Sequence, residues 1–78
     1  MARLLLLGPA REAAGRSVDN IDGSSIAQVL DRAVERYGSD FSQVLAVSQI
    51  WLNGEPADGS MTVVPHDEIA VLPPVSGG

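Results

Sequence analysis

The run Ile69-Ala70-Val71-Leu72-Pro73-Pro74-Val75-Ser76-Gly77-Gly78 decides how the rest of the sequence is read. Its first four residues are apolar and few, the pattern of a buried strand. Two prolines then hold φ at about −65° and withhold the N–H that a sheet needs, so the chain must leave the sheet at Pro73 and continue extended. Residues 1–72 are therefore expected to form one domain and residues 73–78 a flexible tail.

The composition of the tail points to chemistry at its end. Gly77 and Gly78 lack a Cβ and can thread a channel too narrow for any other residue. Val75 and Ser76 supply one apolar and one hydroxyl handle. Six extended residues reach roughly 20 Å at about 3.3–3.6 Å each, far enough to enter another protein's site while the body stays outside. The expected reactive group is the carboxylate of Gly78. With a pKa of about 3.3–3.7 in peptides it is ionised at neutral pH, and it is a poor electrophile until one oxygen becomes part of a leaving group. Gly-Gly alone reads as an ordinary frayed terminus; the Pro-Pro exit straight from a strand favours the functional reading.

Seventy-eight residues make one domain, near the lower size limit for a fold without disulfides or metal. The chain has no cysteine and one histidine, which excludes a disulfide framework, a thiolate nucleophile and a Cys-based zinc site, and leaves little scope for any metal. Leu4-Leu5-Leu6-Leu7 is too short for a signal-peptide core or a membrane span, so the expected location is cytoplasmic. A formal charge of −5 and a pI near 4.4 argue against nucleic acid, whose phosphates this surface would repel. All five cationic residues are arginine, so no lysine side chain is offered for isopeptide attachment.

In chain order, residues 3–8 read as a buried strand stopped by Gly8-Pro9. Ala10 to Ala14 reads as a single helical turn ended by Gly15, with Arg11 and Glu12 solvated. Ser17 to Asp22 reads as an edge strand with apolar residues only at Val18 and Ile21. Ser25 with Gln28 three residues on is a capping-box pattern. Ile26, Val29, Leu30, Ala33, Val34 and Tyr37 then follow the rhythm of one helical face, and Gly38 is placed to end the helix in a left-handed cap. Asp31, Arg32, Glu35 and Arg36 form its solvated side. Phe41 to Ala46 is ambiguous, with a short turn carrying Phe41 and Leu45 inward as one reading. Val47 to Leu52 reads as a strand with Trp51 in the sheet, and Asn53-Gly54 is a strong hairpin signal. Glu55 to Thr62 reads as a polar excursion, Val63-Val64 as a brief pairing, and Pro65-His66-Asp67-Glu68 as the turn into the last strand. His66 lies there as a surface residue. The whole suits an α+β fold in which one long helix packs on one face of a sheet.

The ending Leu72-Pro73-Pro74-Val75-Ser76-Gly77-Gly78 resembles that of the small, sulfur-carrying subunit of molybdopterin synthase, a ubiquitin-like sulfur carrier. Ala10-Arg11-Glu12-Ala13-Ala14-Gly15, the central helix, Leu52-Asn53-Gly54-Glu55 and His66-Asp67-Glu68-Ile69 fall in the order of that family, so the resemblance spans essentially the whole chain. One departure is Leu4 to Leu7, where the family often carries aromatic residues. The resemblance implies a β-grasp fold with a mixed sheet whose first and last strands pair in parallel at the centre, which would account for two continuously apolar strands. It also implies that Gly78 is the reactive residue and that Pro73, Pro74, Val75, Ser76 and Gly77 are the tail that enters the partner. A ubiquitin-activating-like adenylyltransferase would use ATP to adenylate the carboxylate, which then becomes a thiocarboxylate. The large subunit of molybdopterin synthase would receive the tail and its sulfur for the pterin precursor. The carrier itself would bind no cofactor and supply no catalytic side chain. The alternatives are a sulfur carrier for thiamine, cysteine or tRNA thiolation, and a ubiquitin-like modifier joined to protein lysines.

Overall fold

The apolar run at the start of the chain forms β1 (Ala2–Leu6) and the one at its end forms β5 (Glu68–Leu72). The two pair in parallel, Leu4 beside Ile69 and Leu6 beside Val71. The computed structural model describes residues 1–74. Between the outer runs lie α1 (Gly8–Ala14), β2 (Val18–Ile21), α2 (Ile26–Tyr37), α3 (Ser39–Ala46), β3 (Gln49–Leu52) and β4 (Glu55–Pro56). The five strands form one mixed sheet in the order β2-β1-β5-β3-β4, with only the β1–β5 pair parallel. This is the ubiquitin-like β-grasp arrangement.

Side chains alternate across a strand, and here one face is covered and the other is not. Ala2, Leu4, Leu6, Ile21, Ile69 and Val71 point into a single core with Ile26, Val29 and Ala33 of α2, Phe41 of α3 and Ala10 of α1. The continuous apolar runs therefore do not mean burial on both faces: β1 alternates between buried and more exposed positions, and β5 alternates half-buried with buried. The leucines that stand where aromatic residues were expected pack without difficulty, since Leu4 and Leu6 are fully buried.

Several boundaries differ from the sequence reading. The first strand stops at Leu6, and Gly8-Pro9 opens α1 instead of merely ending a strand, because proline suits the first helical turn, where its missing N–H has no partner to lose. α1 is thus two turns long, closed by Gly15, whose N–H donates to the Arg11 carbonyl at 2.9 Å. The ambiguous segment is a full helix, α3, which buries Phe41 against Tyr37 edge-to-face with ring centroids 5.0 Å apart. Val47 caps that helix and lies outside the strand expected to begin there. Val63-Val64 forms no strand; Val63 is buried, and the only pairing nearby is an isolated bridge between Ser25 and Thr62.

The start of α2 is as its capping box predicts, with one variation. Ser25 Oγ accepts from the Gln28 N–H at 3.1 Å, while Gln28 Oε1 reaches one residue further back and accepts from the Ser24 N–H at 2.7 Å. Gly38 does end α2, but at φ 101° and ψ −169°. This is not the left-handed helical well; it is an extended region with positive φ that is essentially restricted to glycine. The angle between α2 and α3 is set by that one residue, which ends the first helix and starts the second.

The edge strand β2 has little apolar surface, and a polar cluster holds it. Asp19 Oδ2 accepts from the Tyr37 hydroxyl at 2.5 Å and from Arg36 Nη1 at 2.8 Å, while Oδ1 accepts from the Asn20 N–H at 2.8 Å and lies 3.4 Å from Arg16 Nη1. Burial pushes the Asp19 carboxyl up, but the bonds from Tyr37, Arg36 and Asn20 together outweigh it and hold the carboxyl below the usual range. Burial, followed by the bond to Asp19, raises the Tyr37 phenol.

Candidate functional site

The tail is rooted in the middle of the sheet. β5 pairs with β1 as far as Val71 and with β3 as far as Leu72, and the ladder ends where the prolines begin. Pro73 is half-buried and Pro74 exposed. Val75, Ser76, Gly77 and Gly78, which include the expected reactive carboxylate, lie outside the described residues. The central position of β5 gives the tail a rigid base, since the strand that carries it is hydrogen-bonded on both sides.

The uncovered face of the sheet next to that root is apolar in a way the sequence did not reveal. The registers place Val18 beside Leu5, Leu5 beside Ala70, Ala70 beside Trp51 and Trp51 beside Pro56. These five residues form one row across all five strands, on the side away from the helices. Ala70 is the small member of the row, between Leu5 and Trp51. Leu72, one step nearer the tail, faces the same way and stands beside Gln49, whose Oε1 accepts from Trp51 Nε1 at 3.3 Å. At the other end of the sheet the neighbouring row is polar, Asn20-Arg3-Glu68. An apolar band continuous with the tail root and bordered by polar residues is the usual form of a protein-docking surface. Trp51 was placed in the sheet by sequence, but its face depends on register.

His66 sits in the turn before β5 with φ 75° and is exposed, at the end of the sheet away from the tail. Its neighbour Asp67 is structural: the carboxylate accepts from the Val64 N–H at 2.8 Å and from Asn53 Nδ2 at 3.0 Å, and the Val64 bond followed by the Asn53 bond lowers its pKa. Asn53 Oδ1 in turn accepts from the Glu68 N–H at 2.9 Å, tying the Asn53-Gly54 hairpin to the start of β5. Among the described residues there is no cavity and no cluster of side chains that could hold a metal ion. None of the helices there is long and apolar enough to cross a membrane.

The ThiS family matches residues 4–78 of the sequence. The chain belongs to the ThiS family. It is thus one of the ubiquitin-like sulfur carriers and modifiers. No curated protein sequence matches. Among solved structures, SAMP1 from Haloferax volcanii is 28% identical with a TM-score of 0.83, covering 99% of this chain and 98% of its own. A chain in the complex of subunits 1 and 2 of the molybdopterin-converting factor from Helicobacter pylori is similar at 24% identity and a TM-score of 0.71, over 99% and 97% of the two chains. The Amycolatopsis orientalis BexX/CysO complex contains a chain 16% identical with a TM-score of 0.85, covered in full on both sides. The last two likenesses are likenesses of fold.

Proposed function

We propose that this ThiS-family chain is the sulfur carrier of molybdenum cofactor biosynthesis, acting in the cytoplasm as the small subunit of molybdopterin synthase. The observation that carries the reading is the Pro73-Pro74 exit from the central strand into Val75-Ser76-Gly77-Gly78, beside an apolar sheet face. In this reading the carboxylate of Gly78 attacks the α-phosphate of ATP on a ubiquitin-activating-like adenylyltransferase and pyrophosphate leaves. A sulfur donor then displaces AMP to give a thiocarboxylate. Adenylation supplies the leaving group that the carboxylate lacks. The thiocarboxylate passes into the large subunit and gives its sulfur to the pterin precursor, with the catalytic side chains supplied by the partners.

Docking falls to the row Val18-Leu5-Ala70-Trp51-Pro56 together with Leu72 and the tail residues Pro73, Pro74, Val75, Ser76 and Gly77. A six-residue tail that must be ordered in a channel binds weakly by itself, and the apolar row offers the additional area. The pairing of subunits 1 and 2 in the Helicobacter pylori structure supports a large-subunit partner. A second reading, a ubiquitin-like modifier whose carboxyl is joined to a protein lysine, is favoured by the 28% identity to SAMP1.

The two readings separate in one experiment. The chain is incubated with the adenylyltransferase, ATP and a sulfur donor, and its C-terminal peptide is weighed. The sulfur-carrier reading expects replacement of one oxygen by sulfur, and release of that sulfur when the large subunit and pterin precursor are added. Gly78 found joined to lysines of other proteins, with no sulfur gained, would replace it with the modifier reading.

A further inference from the structure

We infer that Asn53-Gly54 is a site of spontaneous deamidation, and that the native fold holds it shut through the bonds Asn53 makes to Asp67 and Glu68. The inference concerns the body of the protein and is independent of the reading of Gly78.

The two residues form the whole turn between β3 and β4, with Leu52 paired to Glu55 on either side. Asn53 has φ 51° and Gly54 φ 85°, the pair of positive angles used by the tightest hairpin turns. Asn53 is exposed, so water reaches it. In deamidation the backbone nitrogen of Gly54 forms a bond to Cγ of Asn53 and closes a five-membered ring. The Cγ–Nδ2 bond breaks, and Nδ2 leaves as ammonia with the proton that the Gly54 nitrogen gives up. Water then opens this succinimide at one carbonyl or the other, leaving aspartate or isoaspartate. Glycine hinders the attack least, because no Cβ stands beside the attacking nitrogen. The other asparagine, Asn20, precedes Ile21, whose branched side chain crowds its nitrogen and makes it the slow counterpart.

Asn53 is bound three times to the start of β5. Its N–H donates to the Glu68 carbonyl at 2.8 Å, its Nδ2 donates to Asp67 Oδ1 at 3.0 Å, and its Oδ1 accepts from the Glu68 N–H at 2.9 Å. Backbone and side chain together thus satisfy both backbone groups of Glu68 and carry the β3–β5 ladder one step past Leu52. Attack comes perpendicular to the amide plane, whereas both side-chain bonds lie in that plane and fix it against β5. Turning the amide toward Gly54 means giving up both. Either product lacks the Nδ2 donor. Aspartate sets a second carboxylate against Asp67, which already accepts from the Val64 N–H, and isoaspartate adds one backbone atom to a two-residue turn. The reaction is therefore slow in the folded chain, and once complete it weakens the contact that restrained it.

The test follows Asn53 by peptide mapping in purified protein kept in mildly alkaline buffer, reading the mass gained when OH replaces NH2. Unfolded in guanidinium chloride, the chain should convert at Asn53 and leave Asn20 intact over the same period. Folded, it should convert at Asn53 at least about tenfold more slowly, the effect of two hydrogen bonds of which one goes to a carboxylate. Asp67→Ala, shown by circular dichroism to be folded, should convert faster than the folded wild type. Asn53→Asp is the aspartate product made directly and should lower Tm by about 4–8 °C. Adding Asp67→Asn to it should restore most of that loss, because the amide then stands on the other side of the same contact. The inference is overturned if the folded wild type converts as fast as the unfolded chain, or if folded Asp67→Ala converts no faster than wild type. It also fails if the unfolded chain does not convert at Asn53, if Asn53→Asp is as stable as the wild type, or if the paired change restores nothing. Should Asp67→Ala not fold, the comparison of folded with unfolded wild type and the Tm of the paired variants decide the matter without it.

Discussion

Asp19→Asn changes no volume, yet the geometry around the carboxylate leaves the new amide group no acceptable orientation. Tyr37 and Arg36 donate to one oxygen, and the Asn20 N–H donates to the other with Arg16 nearby. Whichever way the amide is turned, its NH2 faces donors. The Asp19 side chain is only 10% exposed, so water cannot readily replace what is lost. A hydrogen bond to a charged group contributes about 1.5–3 kcal/mol, while the two arginines, each about half exposed, add at most about 1 kcal/mol between them after screening. The expected loss is about 2–3 kcal/mol, from a total of about 4–12 kcal/mol for a domain of this size, or a fall in Tm of about 10–20 °C. Urea unfolding followed by circular dichroism measures it.

The pH dependence carries a further check. The folded pKa of Asp19 lies below its unfolded value of about 3.9, so the carboxylate's contribution is complete above that value and fades as pH falls through the folded pKa. The gap between wild type and Asp19→Asn should stay constant from about pH 8 to 5 and narrow below about pH 4. A variant within about 0.5 kcal/mol of wild type at pH 7, or a gap that persists unchanged in acid, would refute the role given to this cluster.

Trp51→Glu places a charge in the middle of the apolar row; it should alter stability by only about 1 kcal/mol, the scale of cross-strand pairs, yet weaken association with the large subunit by about 30-fold or more, as loss of an aromatic hot spot does. Titration calorimetry reads this, and unchanged affinity would move the docking surface elsewhere. Deleting Gly78 draws the carboxyl back by about 3.5 Å and should abolish sulfur uptake, as should any uncleaved C-terminal tag, whereas a tag before Met1 should be tolerated because it leaves from the opposite end of the sheet. An active protein with an intact C-terminal tag would end the sulfur-carrier reading. His66→Gly removes a left-handed conformation that costs a non-glycine residue roughly 1–2 kcal/mol, less the roughly 0.5–1 kcal/mol entropic cost of glycine. Tm should hold or rise slightly, and sulfur uptake should be unchanged; a loss of uptake would assign His66 a chemical part.

The strand that ends in Pro73-Pro74, the helix capped by Ser25 and the Asn53-Gly54 hairpin were determined by the sequence itself, because each rests on local chemistry: a missing N–H, a hydroxyl three residues from an amide, a pair of residues at ease with positive φ. So were the family resemblance and the tail residues on which the functional proposal turns. α3 was hidden because Ser39 to Ala46 is too short to establish a helical period by itself; it exists because Phe41 finds the core and Gly38 accepts a backbone angle open to it alone. The face that each strand turns outward was likewise beyond the sequence. Leu4 and Leu5 are the same residue type, and only the register of β1 against β5, together with helices on one side, buries the first and leaves the second in the apolar row. Asp19 read as one more polar residue on a poor strand, because the Tyr37 and Arg36 that hold it lie 18 and 17 positions away. Contacts made across such separations depend on where the chain folds back, and that is decided by tertiary packing.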